Sequence, residues 1–303
     1  MSATQPADSS DGPPPGTSET PAGIRTVEVD GEPVAYAAFG DPAGEPVVFF
    51  HGTPGSRRLA ELYDDAAREQ RVRVLAFDRP GYGRSPTRPG YEPADTADVL
   101  AAVLADASVE RAGVVAFSGG APHALAAAAE SGDRVRGVDV VSGSVPAPLR
   151  EETPTPQRVL GGLAGSTPRL LAGLLRGQAW LARRLSPSFV LAQYTTEDGR
   201  DALPGDVENV VKQDFLEAFA RSRAGAVREF RHARDDWDVS LASVDCRVRW
   251  WHGGDDENVP LAGARRVADA LPDCDLRVLG DADHLGALVR SREGVLSQYA
   301  PDE

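Results

Sequence analysis

Apolar residues along this chain fall into short β-branched and aromatic runs that stop at clusters of glycine and polar residues. Longer stretches of helical periodicity separate them. Arg25–Val29 and Val34–Phe39 read as two strands joined through Asp30-Gly31, a strong hairpin signal. Pro46–Phe50 is unbroken in its apolar character, as expected of a strand buried on both faces of a parallel sheet. Further strands are predicted over Val72–Phe77, Gly113–Phe117, Val135–Val141, Arg247–Trp251 and Asp275–Leu279. Helical patterns cover Ala94–Ala107, Ala124–Ala129, Leu261–Leu271 and Leu285–Tyr299. Strand alternating with helix predicts an α/β fold with a doubly wound, mostly parallel sheet.

The alternation lapses over residues 147–242, where leucines and aromatics recur at helical spacing and no strand is convincing. A helical insertion is expected there, dividing the sheet domain into a first part at 24–146 and a second at 243–303. Residues 1–23 are rich in Pro, Ser, Gly, Thr and acid and have almost nothing to bury, so a disordered tail is expected.

A length of 303 residues suits one large domain with an insertion, or two small domains. The net charge of −14 disfavours nucleic acid and anionic membrane as partners of the whole molecule. Lys212 is the only lysine beside 31 arginines. An acidic, arginine-rich surface suits a high-salt cytoplasm, although a GC-rich genome biases Arg over Lys by itself. The first residues lack a basic stretch followed by an apolar core, and no run is long enough to span a bilayer, so cytoplasm is the default location. The two cysteines exclude a disulfide framework or a Cys-rich zinc site. If the last two strands are parallel neighbours, Cys246 and Cys274 both stand at their N-terminal ends, within reach of a disulfide; a reduced pair is the expectation for a cytoplasmic chain.

The candidate chemistry collects where the strands end, because ligands of open α/β sheets bind beyond the carboxyl ends of the strands. Val114–Phe117 runs into Ser118-Gly119-Gly120 and then an alanine-rich helix. Such a strand–turn–helix elbow strains its central residue and projects the hydroxyl from the sheet edge, so Ser118 is the candidate nucleophile. Small residues are needed two before and two after it; Ala116 and Gly120 stand there, the alanine departing mildly from the usual glycine. The Gly119 amide points into the same space as one half of an oxyanion hole, and the Thr53 amide, in His51-Gly52-Thr53-Pro54-Gly55, is expected to be the other. Of five histidines, His51 and His252 precede glycines at strand ends, where turn packing is expected. His123 faces away from Ser118, and His232 sits in a charged, solvated stretch. His284 alone stands in a loop at a late strand end, which makes it the candidate base. Asp255, Asp256, Asp281 and Asp283 are all near enough in sequence to be its carboxylate; the spacing from Gly253 and to Val259-Pro260 favours Asp256.

The His-Gly-x-Pro-Gly loop, Asp78-Arg79-Pro80-Gly81-Tyr82-Gly83-Arg84-Ser85, the serine elbow, the Gly-x-x-Asp-x-x-Val-Pro segment and the terminal acid-His-Leu occur in that order. Together they resemble the α/β-hydrolase family from about Ile24 to Tyr299. The resemblance implies a nucleophile at Ser118, an acid at Asp256, a base at His284, and a cap formed by residues 147–242. Asp78-Arg79 is expected to brace the Thr53 loop through an ion pair. The cap leucines and tryptophan are expected to line an acyl pocket, while Arg176, Arg183 and Arg184 partly supply the basic face that membrane-surface binding would want. The expected reaction is hydrolysis of a small-molecule carboxylic ester or thioester through an acyl-enzyme, with no metal or organic cofactor required. Serine at the elbow argues against dehalogenase or epoxide hydrolase, and the missing tryptophan after it against proline iminopeptidase. A ligand receptor of the same fold with little turnover and an acyltransferase are the competing classes.

Overall fold

The computed structural model describes residues 23–301; the tail expected over 1–23 lies outside them save for Gly23. One eight-stranded sheet runs through the chain, made of β1 (Ile24–Val29), β2 (Glu32–Gly40), β3 (Glu45–Phe50), β4 (Val72–Phe77), β5 (Ala112–Phe117), β6 (Val135–Val141), β7 (Val248–Gly253) and β8 (Cys274–Leu279). Their order is β1-β2-β4-β3-β5-β6-β7-β8, with β1 and β2 antiparallel to their neighbours and the rest parallel. The β1–β2 hairpin turns on Asp30 and Gly31, both at positive φ, as the Asp-Gly signal predicts.

Strands β3 and β5 are apolar on both faces, and their side chains alternate between two cores. Val47 and Phe49 of β3 enter one core, and Val48 and Phe50 enter the other. The first core lies against α1 (Asp64–Glu69), and the second against α2 (Thr96–Asp106) and α3 (Ala121–Glu130). Helix α1 follows a 3₁₀ turn over Arg57–Tyr63 and was not announced by the hydrophobic pattern.

Between β6 and β7 the described chain contains helices alone: α4 (Thr155–Ser166), α5 (Pro168–Ala182), α6 (Ser188–Leu191), α7 (Glu197–Asp201), α8 (Val207–Ala218) and α9 (Ala224–His232), with short 3₁₀ turns at Ala147–Leu149 and Leu241–Ser243. Leu171, Leu175, Val211, Phe215 and Ala226 from this segment join the first core, so insertion and sheet share one apolar interior. Helices α10 (Leu261–Ala270) and α11 (His284–Leu296) follow β7 and β8. No described helix is long and apolar enough to cross a membrane. Cys246 and Cys274 are both free; the register sets Cys274 opposite Val248, not Cys246.

The chain goes from β3 outward to β4 and then crosses back to β5 on the other side of β3. The winding direction therefore reverses between β3 and β5, and a crevice opens beyond their carboxyl ends. The Thr53 loop leaves β3 there, and Ser118 leaves β5.

Candidate active site

Ser118 adopts φ +50°, a left-handed conformation that costs a serine energy and persists only where the surroundings impose it. A 3₁₀ turn, Ser118–Gly120, leads from β5 into α3. The requirement for glycine at position 120 has a clear origin: a Cβ there would press within 2.5 Å of the Phe50 carbonyl and 2.9 Å of that of His51. Ala116, by contrast, is a fully buried strand residue whose methyl group fits the second core. The neighbour that forbids a side chain is thus β3 rather than the elbow's own strand.

The Thr53 loop is locked from below. Arg79 is completely buried and donates to the His51 carbonyl and to the Gly52 carbonyl, the latter at 3.0 Å; His51 Nδ1 also donates to the Gly52 carbonyl, at 2.8 Å. His51 Nε2 accepts from the Arg79 amide, which fixes the tautomer, and burial and the Arg79 charge hold the imidazole well below its ordinary pKa. In a trans peptide the C=O and N–H point in opposite directions, so anchoring the Gly52 oxygen turns the Thr53 N–H away from Arg79. The Thr53 nitrogen lies 3.2 Å from where a Cβ on Gly119 would stand. Thr53 and Gly119 are therefore side by side, next to Ser118.

His284 and Asp256 meet on the opposite wall. His284 Nδ1 lies 2.8 Å from Asp256 Oδ2, and the imidazole packs against Phe117 with ring centroids 4.8 Å apart. Asp256 Oδ1 accepts from the amides of Asn258 and Val259, at 2.9 and 2.8 Å. Burial alone would raise the Asp256 carboxyl, but His284 and these hydrogen bonds outweigh it and hold the group below its ordinary value. Ser118, Gly119, Thr53 and His284 line one cavity of about 1280 Å³. The hydroxyl and the imidazole share its wall with no hydrogen bond closed between them.

The other aspartates are elsewhere. Asp255 is exposed, and Asp281 is exposed and paired with Arg290. Asp283 caps α11 by accepting from the Gly286 amide at 2.8 Å, while its second oxygen accepts from Thr195 Oγ1 and the Thr196 amide of the insertion. That cap starts the helix at His284, so the imidazole projects from the first helical turn rather than from a loop. His252 accepts from Trp250 Nε1 and donates through Nε2 to the Val259 carbonyl, bracing the Asp256 loop as a neutral ring. His123 bonds Thr96 and stacks on Tyr91; burial, with help from the Arg79 charge, lowers it to about 4. His232 is half-buried, with Nδ1 3.2 Å from Glu92.

Two expectations need correction and one residue escaped the sequence. Of the cap side chains expected to line an acyl pocket, Leu160 does so, whereas Leu170, Leu174, Trp180, Leu181 and Leu185 are exposed and absent from the cavity wall. Arg79 braces the Thr53 loop as expected, but the ion pairs run to other residues: adjacent strand-end residues point to opposite sides, so Asp78 binds Arg57 and Arg79 binds Glu229 of α9. Glu229 accepts from Arg79 Nε and Nη2 at 3.0 and 2.9 Å, from Tyr82 at 2.8 Å and from Thr53 Oγ1. Burial opposes its ionisation, yet Arg79 and His123 keep it well below the usual carboxylate range. A signal existed, since Glu229 stands three residues after the buried Ala226, on the inward stripe of a short amphipathic helix. An isolated acid among Arg228, Arg231 and Arg234 nevertheless reads as solvated.

Residues 45–291 match the family model described as the alpha/beta hydrolase fold. The chain belongs to the α/β-hydrolase family and is an enzyme of the hydrolase class. It is 27% identical to a non-heme chloroperoxidase of Kitasatospora aureofaciens, over 86% of this chain and 91% of that protein. It is 26% identical to a 2-hydroxy-6-oxononadienedioate/2-hydroxy-6-oxononatrienedioate hydrolase of Cupriavidus pinatubonensis, over 79% of this chain and 80% of the relative. Among solved structures, a thermophilic esterase from Thermogutta terrifontis superposes with a TM-score of 0.69 at 19% identity, covering 92% of this chain and all of the other, a likeness of fold.

Proposed function

We propose that the protein is a serine hydrolase that cleaves a carboxylic ester or thioester of small to medium, largely apolar character through an acyl-enzyme. The observation that carries this reading is the strained Ser118 in the same cavity as an imidazole held at 2.8 Å by a buried carboxylate. The substrate carbonyl sits against the Thr53 and Gly119 amides, where negative charge develops on its oxygen. Ser118 Oγ attacks the carbonyl carbon while His284 Nε2 takes the hydroxyl proton. Asp256 holds Nδ1–H and stabilises the imidazolium without itself being protonated. His284 then passes the proton to the leaving alkoxide or thiolate. Water, deprotonated by the same imidazole, attacks the acyl carbon, and the acid leaves as Ser118 recovers its proton.

Residues 147–242 act as the cap in this reading. Leu160 and Phe230 bring apolar surface to the cavity wall, with Val145 and Val259 from the strand-end loops beside them. The test is fluorophosphonate labelling together with turnover of p-nitrophenyl esters of increasing acyl length. Labelling at Ser118 and turnover should both vanish in Ser118→Ala. Labelling that survives the substitution refutes the nucleophile, and tight ester binding with negligible turnover favours a receptor.

A further inference from the structure

The sequence carries its acidic charge unevenly. Between Glu152 and Glu197 there is no aspartate or glutamate, whereas Arg158, Arg169, Arg176, Arg183 and Arg184 all fall there, in a chain of net charge −14. That segment folds into α4, α5 and α6. Helix α5 buries Leu171, Leu175, Ala179 and Ala182 against the body. A helix that merely covers a site would present polar residues outward. Here Leu170, Leu174, Trp180 and Leu181 stand on the outer side with Leu185 just beyond, each between 40% and 53% exposed.

The arginines flank this apolar strip. Arg184 lies over the Trp180 ring, its guanidinium carbon 3.8 Å from the ring centroid. Arg223, which leads into α9, is close enough to Arg176 and Arg183 that burial and their like charges together lower its pKa, and its buried Nε has no hydrogen-bond partner. Several cations held near one another without acidic partners are an electrostatic cost, which an external anion would relieve.

We propose that the outer face of α5 docks on an anionic lipid bilayer, lying in the plane of the headgroups, with Leu170, Leu174, Trp180 and Leu181 entering the acyl boundary and Arg176, Arg183 and Arg184 meeting lipid phosphates. Exposed Trp and Leu beside arginines are the composition of an interfacial helix. At 15 residues, α5 is suited to lie along the surface and too short to span it. The net negative charge of the body does not forbid this contact, because charges farther than about 8 Å from the surface are largely screened at physiological salt. A two-fold dimer through the same face would set these arginines against their own copies. The surface is distinct from the Ser118 cavity, so the inference stands apart from the reaction assigned to that cavity.

Trp180 supplies a built-in reporter, since the other three tryptophans, Trp237, Trp250 and Trp251, are buried. The full chain is sedimented with vesicles of phosphatidylglycerol mixed into phosphatidylcholine, or of phosphatidylcholine alone, while tryptophan emission is followed. Binding is expected on the anionic vesicles, with a blue shift that Trp180→Phe abolishes, and it should weaken as salt is raised. Replacing Arg176, Arg183 and Arg184 together by Gln should lower the partition coefficient about a hundredfold, at roughly fivefold per charge. The pair Leu174→Gln and Leu181→Gln should also reduce it. Unchanged melting temperatures show that these variants fold. Three results overturn the proposal: protein that stays in the supernatant, vesicle binding that the folded variants retain, or a dimer in analytical ultracentrifugation that the leucine variants dissociate while vesicles are ignored.

Discussion

Replacing Glu229 by Gln tests whether the insertion holds the Thr53 loop in place. The substitution keeps the shape of the side chain and removes its charge. Arg79 then stands completely buried with its guanidinium charge uncompensated, left with neutral acceptors: the His51 and Gly52 carbonyls, the Thr53 hydroxyl and one amide oxygen. Breaking one partner of a buried pair costs about 3–5 kcal/mol; because the Gln oxygen still accepts a hydrogen bond, the lower end, about 3 kcal/mol, is expected. Urea denaturation at neutral pH measures it as a fall in midpoint at unchanged slope. The Glu229 carboxyl is ionised at lower pH in the folded chain than in the unfolded one. Its stabilisation is therefore present above the ordinary carboxylate range and is lost as pH falls through the depressed value, and the variant should lose less stability on acidification. Ester turnover should drop mainly in kcat, because a loosened Thr53 amide matters most when the oxyanion forms. A loss of less than about 1 kcal/mol, with kcat intact, would show that the carbonyls alone satisfy Arg79 and that α9 has no hold on the loop.

Two further substitutions probe the neighbouring groups. Asp256→Asn should lower kcat by about 10⁴-fold with the fold intact, because the amide presents the wrong group to His284 Nδ1; a loss under tenfold in a steady-state assay would remove Asp256 from its role. Asp214 of α8 accepts from the Ser56 amide and hydroxyl, both at 2.7 Å, and burial pushes its carboxyl up to about 7. Its folded value exceeds the unfolded one, so its contribution is fully present below pH ~4 and is lost as pH rises through about 7, by at most roughly 4 kcal/mol. Thermal melts of Asp214→Asn should be flatter than wild type across that window; parallel curves would mean that Asp214 does not titrate there.

What was legible in the chain is what a few consecutive residues decide. Asp30-Gly31 signals a tight hairpin turn, Val114–Phe117 followed by Ser-Gly-Gly signals a strand running into a sharp turn with a serine at its apex, and the unbroken apolar run of β3 announces a strand covered on both faces. These local rules delivered the sheet, the strained serine and the order of the motifs. Choosing among four aspartates was different. All stand within reach of His284 along the chain, and only packing separates buried Asp256, at 2.8 Å from the imidazole, from exposed Asp255 and Asp281 and from Asp283, whose oxygens cap α11 and hold Thr195 and Thr196. Arg79 and Glu229 are 150 residues apart, and no periodicity in either segment anticipates their bond. Whether Leu171 or Leu174 faces the interior is likewise undecided by a helix that is apolar nearly all round; it depends on which side meets the rest of the insertion. Local backbone preference is written residue by residue, whereas burial and charge pairing belong to surfaces that exist only after distant segments have come together.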